Sequence, residues 1–121
     1  MTKLICYRRC SSCKAVRKLM DELGMEYTTR EIDLENPGKE ELKKWHQASG
    51  LPLSRFFNSS GMKYRELGLA AKRKKMTEEE QYEVLGTDGR LVKRPILSHD
   101  GAVYVGPDVK KHLQALAAEK E

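Results

Sequence analysis

The most constraining feature of this 121-residue chain is a Cys-Ser-Ser-Cys segment that begins at Cys10 and ends at Cys13. An apolar run at residues 4–7 precedes it, and a helical pattern at residues 14–23 follows it. A thiol in the first turn of a helix faces unpaired backbone N–H groups and the positive end of the helix dipole. Both favour the thiolate, so Cys10 is predicted to be a nucleophile, and the second thiol can resolve a mixed disulfide.

Two other interpretations of the cysteine pair stay open. A structural zinc site needs four ligands, usually as two pairs at similar spacing. The remaining ligand types are Cys6, His46, His99 and His112, and they are scattered. Two inert buried cysteines are the second alternative, because thiol reactivity depends on its surroundings. Cys6 itself lies within the apolar run and is predicted to be a small buried residue.

Composition indicates one domain, residues 1–121, with a highly charged surface. Charged residues make up 34% of the chain, and no apolar run approaches the roughly 20 residues that cross a bilayer. We therefore expect no membrane association. The first seven residues lack the apolar core of a secretory signal, and three cysteines suit a reducing compartment. These features predict a cytoplasmic protein.

The formal net charge of +5 does not by itself indicate nucleic-acid binding. Its densest basic cluster, residues 72–75, is followed at once by three glutamates at residues 78–80. One short run is a weak signal. We interpret it as a solvated connection between helices and predict no direct nucleic-acid contact.

The first third of the chain predicts a β-α-β unit. Apolar residues at 15, 16, 19, 20 and 23 mark one face of a helix, which Gly24 ends. Residues 27–34 form a β-branched run that predicts a second strand. Two strands joined through one helix are expected to be parallel.

The middle of the chain predicts helices, and the last third predicts strands again. Helical patterns occupy residues 39–49, 53–58 and 64–69, and Thr77 opens another through a capping box with Glu80. Strands are predicted at residues 95–98 and 102–105, joined by an Asp-Gly turn, with a final helix from Pro107. The fold class is therefore α/β, with a mixed four-stranded sheet and a helical insertion at about residues 37–90. A Cys-x-x-Cys after the first strand of such a unit indicates a thioredoxin-like fold.

Several segments carry a resemblance to a known family. They are the Cys-Ser-Ser-Cys segment, residues 56–61, 64–69 and 91–97, and the Val-Gly pair at 105–106. On these motifs the chain resembles the glutaredoxin-dependent arsenate reductase (ArsC) family, which includes the Spx and MgsR regulators. The resemblance covers essentially the whole chain. It implies a thiol-dependent reductase with a thioredoxin-like fold and no bound cofactor.

The resemblance also implies roles for particular residues. Cys10 matches the nucleophile, Arg94 the neighbouring arginine, and Pro95 a cis-proline. A guanidinium offers a planar, permanently charged fork to an oxyanion. Cys10, Cys13 and Arg94 are the predicted catalytic residues. The predicted substrate-binding residues are Ser11, Ser12, Arg94 and Pro95.

Two departures from the family pattern leave alternatives open. The arsenate-reducing members use three arginines, and this chain has Asn58 and Gly106 at two of those positions. The substrate could thus be an oxyanion or a thiol compound such as a disulfide, with glutaredoxin, glutathione or thioredoxin as electron donor. Cys13 matches the Spx-type regulators, which implies a redox-sensing regulator that binds the RNA polymerase α subunit. A thioredoxin-fold binding module without chemistry is the third alternative.

Overall fold

The computed structural model describes residues 2–7 and 10–120, apart from the side chain of Lys120. Its strands are β1 (Thr2–Cys6), β2 (Thr28–Glu31), β3 (Ile96–His99) and β4 (Ala102–Val105). Its α-helices are α1 (Ser11–Glu22), α2 (Lys39–Ser49), α3 (Met62–Glu66), α4 (Leu69–Lys72), α5 (Glu78–Leu85) and α6 (Pro107–Lys120). Short 3-10 helices occupy Leu53–Phe56, Arg73–Lys75 and Gly89–Leu91.

The chain divides into two compact units. Residues 1–31 and 94–121 form the first, which holds all four strands together with α1 and α6. Residues 32–93 form the second, which holds α2 to α5 and the three 3-10 helices. The sheet unit is therefore built from two separate stretches of chain.

The sheet has the mixed topology that the sequence predicts. Its strand order is β2-β1-β3-β4, with β1 and β2 parallel and the other pairs antiparallel. In the parallel pair, Cys6 lies opposite Glu31. The α/β class and the mixed four-stranded sheet are confirmed. Within the described residues, no helix combines the length and apolar character that crossing a bilayer requires.

The core of the sheet unit lies where α1 and α6 pack on the central strands. Its buried side chains are Leu4, Cys6, Cys13, Val16, Met20, Leu97, Val109 and Leu113. Buried apolar area of this kind stabilises a fold by roughly 25 cal/mol per Å². Cys6 and Cys13 thus belong to the core, whereas Cys10 is only partly buried and packs against it.

Three elements differ from the sequence expectation. The helical segment predicted at residues 53–58 is a 3-10 helix that ends at Phe56, and Phe57 after it is extended. The second strand ends at Glu31, well before residue 34, because Ile32 begins a turn and its side chain is fully buried. The helix predicted over residues 64–69 is two helices, α3 and α4. Gly68, with φ of +63°, separates them, a left-handed conformation that glycine adopts without steric cost.

The second unit is held by packing between α2 and α5. Lys39 Nζ lies 2.7 Å from a Glu79 carboxylate oxygen, and His46 Nδ1 lies 2.7 Å from the Tyr82 hydroxyl oxygen. Leu42 and Trp45 bury one face of α2. Exposed ion pairs contribute about 1 kcal/mol or less, so the buried apolar face provides more of the stability.

The predicted capping box at the start of α5 is confirmed. Thr77 Oγ1 accepts from the N–H of Glu80 at 3.2 Å, and the Glu80 carboxylate accepts from the N–H of Thr77 at 3.2 Å. We expect Thr77→Ala to lower the free energy of unfolding by about 1 kcal/mol, because the N–H of Glu80 loses its side-chain acceptor. Thr77→Ser, which keeps the hydroxyl, is the control in urea denaturation. An equal loss in both variants would contradict the capping role.

His112 is a partly buried titratable group in the sheet unit. Its ring stacks on Tyr104 with centroids 4.0 Å apart and lies 5.6 Å from the ring of His99. Its Nε2 is buried and makes no hydrogen bond. Burial, and then the charge of His99, lower the pKa of His112 below its ordinary value of 6.5, while Glu119 and Asp100 oppose the shift.

This shift predicts a stability that depends on pH. Below about pH 6.5 the imidazole of His112 is protonated in the unfolded chain, whereas in the folded chain it stays neutral to a lower pH. The free energy of unfolding therefore falls as pH falls. His112 contributes at most about 1.4 kcal/mol per pH unit to the slope of the free energy of unfolding against pH, which is the value for one proton. His112→Phe preserves the stacking on Tyr104 but cannot bind a proton. We expect the free energy of unfolding of this variant, measured by urea denaturation, to depend less on pH between about pH 7.5 and 5.5. Identical slopes in both proteins would contradict this expectation.

Candidate active site

Cys10 occupies the N-cap of α1. Its backbone is extended, with φ of −91° and ψ of 118°, and its carbonyl accepts from the N–H of Lys14 at 3.3 Å. Its side chain makes no capping hydrogen bond, and the first turn of α1 holds no acidic residue. The thiol therefore stands partly exposed at the positive end of the helix, where an anion is favoured.

Cys13 lies one turn further along α1 and is buried, with 1% of its surface exposed. Its Sγ accepts from the backbone N–H of Tyr7 at 3.4 Å. A hydrogen bond with the Cys6 thiol and burial raise the pKa of Cys13 far above its ordinary value. The hydrogen bond from the N–H of Tyr7, and a weaker one with Cys10, lower this pKa and oppose the shift. The two cysteines of the motif thus differ in exposure, as an attacking and a resolving thiol would.

Cys6 is fully buried, as the sequence predicts, but its surroundings are not only apolar. The hydrogen bond with Cys13 lowers the pKa of Cys6, burial opposes the shift, and the Arg17 guanidinium lowers it further. Arg17 is held in turn by Glu31, with Arg17 Nη2 2.9 Å from Glu31 Oε1. All three cysteines are free thiols in the structure.

Arg94 and Pro95 immediately precede β3. The Arg94–Pro95 peptide bond is cis, which confirms the sequence expectation. The Arg94 guanidinium carbon lies 4.6 Å from the centre of the Tyr7 ring, a cation–π contact. Pro95 is buried, and its carbonyl accepts from the N–H of Gly106 at 2.8 Å. Tyr7 therefore contacts Cys13 through its backbone and Arg94 through its ring.

The predicted site residues thus fall in one unit of the fold. Ser11 and Ser12 are exposed in the first turn of α1, beside Cys10. Arg8 and Arg9 precede Cys10 in the sequence and would add positive charge near it, but they lie outside the described residues. The family resemblance implies that Arg94 neighbours the nucleophile Cys10, and this stays a prediction.

Three residues with contacts at this site were missed by sequence reasoning: Tyr7, Arg17 and Glu31. Arg17 had a usable signal, because it lies four residues after Cys13 and so shares its face of α1. Tyr7 and Glu31 had none, since their contacts depend on how β1 pairs with β2 and packs under α1.

The remaining candidates are the possible metal ligands and the two positions at which the family resemblance implies arginines. Within residues 2–7 and 10–120, no group of three or more His, Cys, Asp or Glu side chains could hold a metal ion. Asn58 donates its side-chain N–H to the carbonyl of Arg90 at 3.3 Å. Gly106 adopts a φ of +60° and has no side chain to offer. Neither position supplies a cation.

The chain is similar to known proteins over most of its length. The model of the ArsC family matches residues 6–115. The uncharacterized protein YusI of Bacillus subtilis (strain 168) is 46% identical over 100 residues, covering 83% of this chain and 85% of its own. A crystal structure of a protein related to the ArsC family from Bacteroides fragilis is 46% identical, with a TM-score of 0.86, covering 93% of this chain and 96% of its own.

A third relative carries a more specific description. The structure described as a possible arsenate reductase from Streptococcus mutans UA159 is 34% identical, with a TM-score of 0.82. The alignment covers 88% of this chain and 91% of that one. The family match spans both segments of the sheet unit, including Cys10, Cys13 and Arg94. The chain therefore belongs to the ArsC family.

Proposed function

We propose that the protein is a thiol-dependent reductase of the arsenate reductase type, with Cys10 as nucleophile and Cys13 as resolving thiol. The observation that carries the proposal is the contrast between a partly exposed Cys10 at the N-cap of α1 and a buried Cys13 one turn later. The relative from Streptococcus mutans described as a possible arsenate reductase supports the reaction class.

The chemistry of the pair is a two-step exchange. The Cys10 thiolate attacks an oxidised substrate and forms a covalent adduct, which is a mixed disulfide when the substrate is a disulfide. Cys13 then attacks the Cys10 sulfur, releases the reduced substrate and leaves a Cys10–Cys13 disulfide. Glutaredoxin with glutathione, or thioredoxin, supplies the electrons that reopen this bond.

The arginine pattern favours a disulfide over arsenate as substrate. The resemblance implies three cations around an oxyanion, and this chain retains Arg94. The amide of Asn58 is a weak substitute because it carries no charge and donates to a backbone carbonyl, and Gly106 has no side chain. A disulfide needs no positively charged groups around its sulfur atoms, so Cys10 and Cys13 alone can reduce it.

A single-turnover experiment tests the proposal. Reduced protein is mixed with glutathione disulfide, quenched with acid and mapped by mass spectrometry. We expect a Cys10–Cys13 disulfide with Cys6 free, formed faster than arsenite appears from arsenate in the presence of glutathione and glutaredoxin. Faster arsenate reduction would overturn the substrate preference. Absence of both reactions would overturn the reductase assignment.

Arg94 is expected to bind anionic groups of the substrate. Charge-assisted hydrogen bonds contribute about 1.5–3 kcal/mol, which corresponds to about 10- to 150-fold in affinity. We expect Arg94→Ala to lower kcat/KM for glutathione disulfide, which carries carboxylates, by at least about ten-fold. The matched control is bis(2-hydroxyethyl) disulfide, which is uncharged and should react nearly as fast with the variant. Equal losses with both substrates would contradict an anion-binding role.

A further inference from the structure

The net positive charge of the protein lies in one short stretch of the second unit, residues 62–75, which we call the basic segment. It comprises α3, α4 and the 3-10 helix that follows them. Its net charge of +5 equals that of the whole chain, so the rest of the sequence is neutral overall. The segment has one acidic residue, Glu66, and six basic residues: Lys63, Arg65, Lys72, Arg73, Lys74 and Lys75.

Most of these cations are exposed and have no carboxylate beside them. Four are exposed to solvent: Arg65, Lys72, Lys74 and Lys75. Within the described residues none of the four has a carboxylate oxygen at ion-pair distance, whereas Lys39 and Arg17 do. Like charges that are grouped without partners repel one another, and an anionic partner relieves that repulsion.

The basic segment is held by buried side chains of the second unit. The Arg73 guanidinium carbon lies 5.3 Å from the centre of the Phe57 ring, a cation–π contact. Phe57 packs edge-on against Tyr64 of α3, with ring centres 6.0 Å apart, and both rings are buried. This stack links α3 to the 3-10 helix at residues 73–75, so the cations on both elements share one frame. A partner therefore meets charges that need little ordering on binding.

An exposed apolar side chain belongs to the same segment. Met62 begins α3, next to Lys63, and 77% of its surface is exposed. A methionine side chain is flexible and polarizable, so it adapts to different apolar partners. Cations around one apolar contact suit a partner that carries carboxylates around one apolar side chain.

We propose that the basic segment binds an acidic segment of another protein, in which an apolar side chain among the carboxylates contacts Met62. The carboxylates pair with the exposed cations of α3, α4 and the 3-10 helix. This binding goes beyond the proposed reductase activity, because it uses neither Cys10 nor Cys13. Failure to bind would leave the reductase assignment as it stands.

The surface favours a protein over a nucleic acid. Single strands bind through bases that stack on exposed aromatic rings, but the one aromatic side chain of the segment, Tyr64, is 6% exposed. A duplex presents a continuous row of phosphates. It would meet the exposed Glu78 and Glu79 of α5, which begins three residues after Lys75. A short acidic segment avoids that repulsion.

A second copy of this chain is a weaker candidate than an acidic protein. Its most acidic helix is α5, but glutamates of that helix are already paired within the chain. Carboxylate oxygens of Glu79 and Glu83 lie 2.7 Å and 3.3 Å from Lys39 Nζ. A partner with unpaired carboxylates gains more from the basic segment.

Fluorescence anisotropy with the full-length protein tests the choice of partner. The probe is a short fluorescein-labelled peptide of glutamates and leucines, and its control replaces every glutamate by glutamine. We expect the glutamate peptide to bind, and to bind more weakly as salt rises from about 50 to 300 mM, because salt screens exposed charges. The glutamine peptide should not bind. Equal or tighter binding of a single-stranded or duplex oligonucleotide of similar length would overturn the proposal, as would no binding of the glutamate peptide.

Charge reversal locates the site. Lys74→Glu combined with Lys75→Glu should weaken binding of the glutamate peptide about ten-fold, because two attractions become repulsions. The matched control is Lys110→Glu combined with Lys111→Glu, which changes the net charge equally at two exposed lysines of α6 and should weaken binding less than about two-fold. Equal losses would show that only net charge matters and would overturn the site. A dimer in sedimentation velocity that the first pair of substitutions abolishes would make a second copy the occupant and overturn the proposal.

Met62→Gln separates the apolar contact from the charges. We expect it to weaken binding of the peptide of glutamates and leucines about three-fold or more, because the apolar side chain of the partner loses a contact. A peptide with alanine in place of leucine should bind the variant and the wild type equally. Equal binding of the leucine peptide to both proteins would remove Met62 from the site.

Discussion

Cys10→Ser is expected to abolish reduction of glutathione disulfide, with a loss of about 10³-fold or more in kcat/KM. The thiolate is the attacking species, and a serine hydroxyl at the same N-cap stays protonated and reacts poorly with sulfur. Cys10 is partly exposed and its side chain makes no capping hydrogen bond, so the substitution removes no side-chain cap from α1. Thermal unfolding should therefore change little while activity disappears.

Cys13→Ser is the matched variant for this measurement. It should still form a mixed disulfide with glutathione at Cys10, because the first step does not use Cys13. Turnover should fall, since the adduct then waits for an external thiol. Intact-mass analysis after exposure to glutathione disulfide distinguishes the variants. An adduct on Cys10→Ser and none on Cys13→Ser would reverse the roles of the two cysteines.

Gly89→Ala is expected to be the most destabilising small substitution in the second unit. A Cβ at Gly89 would overlap the carbonyl oxygen of Ile32 and lie 2.8 Å from Asn36 Oδ1. Neither neighbour moves easily, because Ile32 contributes backbone and the Asn36 amide donates to the carbonyl of Gly86 at 2.6 Å. Overpacking of this kind costs about 1–3 kcal/mol or more.

Gly38→Ala is the control, since a Cβ at Gly38 meets no atom within 4 Å. We expect its effect on the free energy of unfolding to stay below about 1 kcal/mol, the usual range for an unobstructed position. Urea denaturation of both variants gives the comparison. A Gly89→Ala protein as stable as Gly38→Ala would mean that the turn at Ile32 yields to the added methyl group.

Local signals explain what could be predicted from the sequence. The capping box at Thr77, the Asp-Gly turn before β4 and the apolar face of α1 each involve residues a few positions apart. Their physical causes act within one element or one turn. The candidate nucleophile was found for the same reason, because Cys10 and Cys13 lie on one helical turn after a strand.

The features of the fold and of the site that were not predicted depend on contacts between residues far apart in the sequence, or on packing around a single residue. The break between α3 and α4 was missed because a glycine inside a helical pattern often stays helical, and only packing sends Gly68 to a positive φ. The proximity of Cys6 to Cys13 and Arg17 was missed because it depends on how α1 packs against β1. The contact of Arg94 with the Tyr7 ring also joins residues far apart in the sequence, so no local pattern predicts it.

The two-segment construction of the sheet has a consequence for the order of folding. The central pair matches Ile5 with Ile96, so forming it closes a loop of about 90 residues, at an entropic cost of roughly 4 kcal/mol. The β1-α1-β2 unit and the β3-β4 hairpin each close much shorter loops. We expect these two pieces to gain structure early and the β1–β3 ladder to form last. Hydrogen exchange after refolding should then protect the amides of Leu4 and Leu97 later than those of the hairpin.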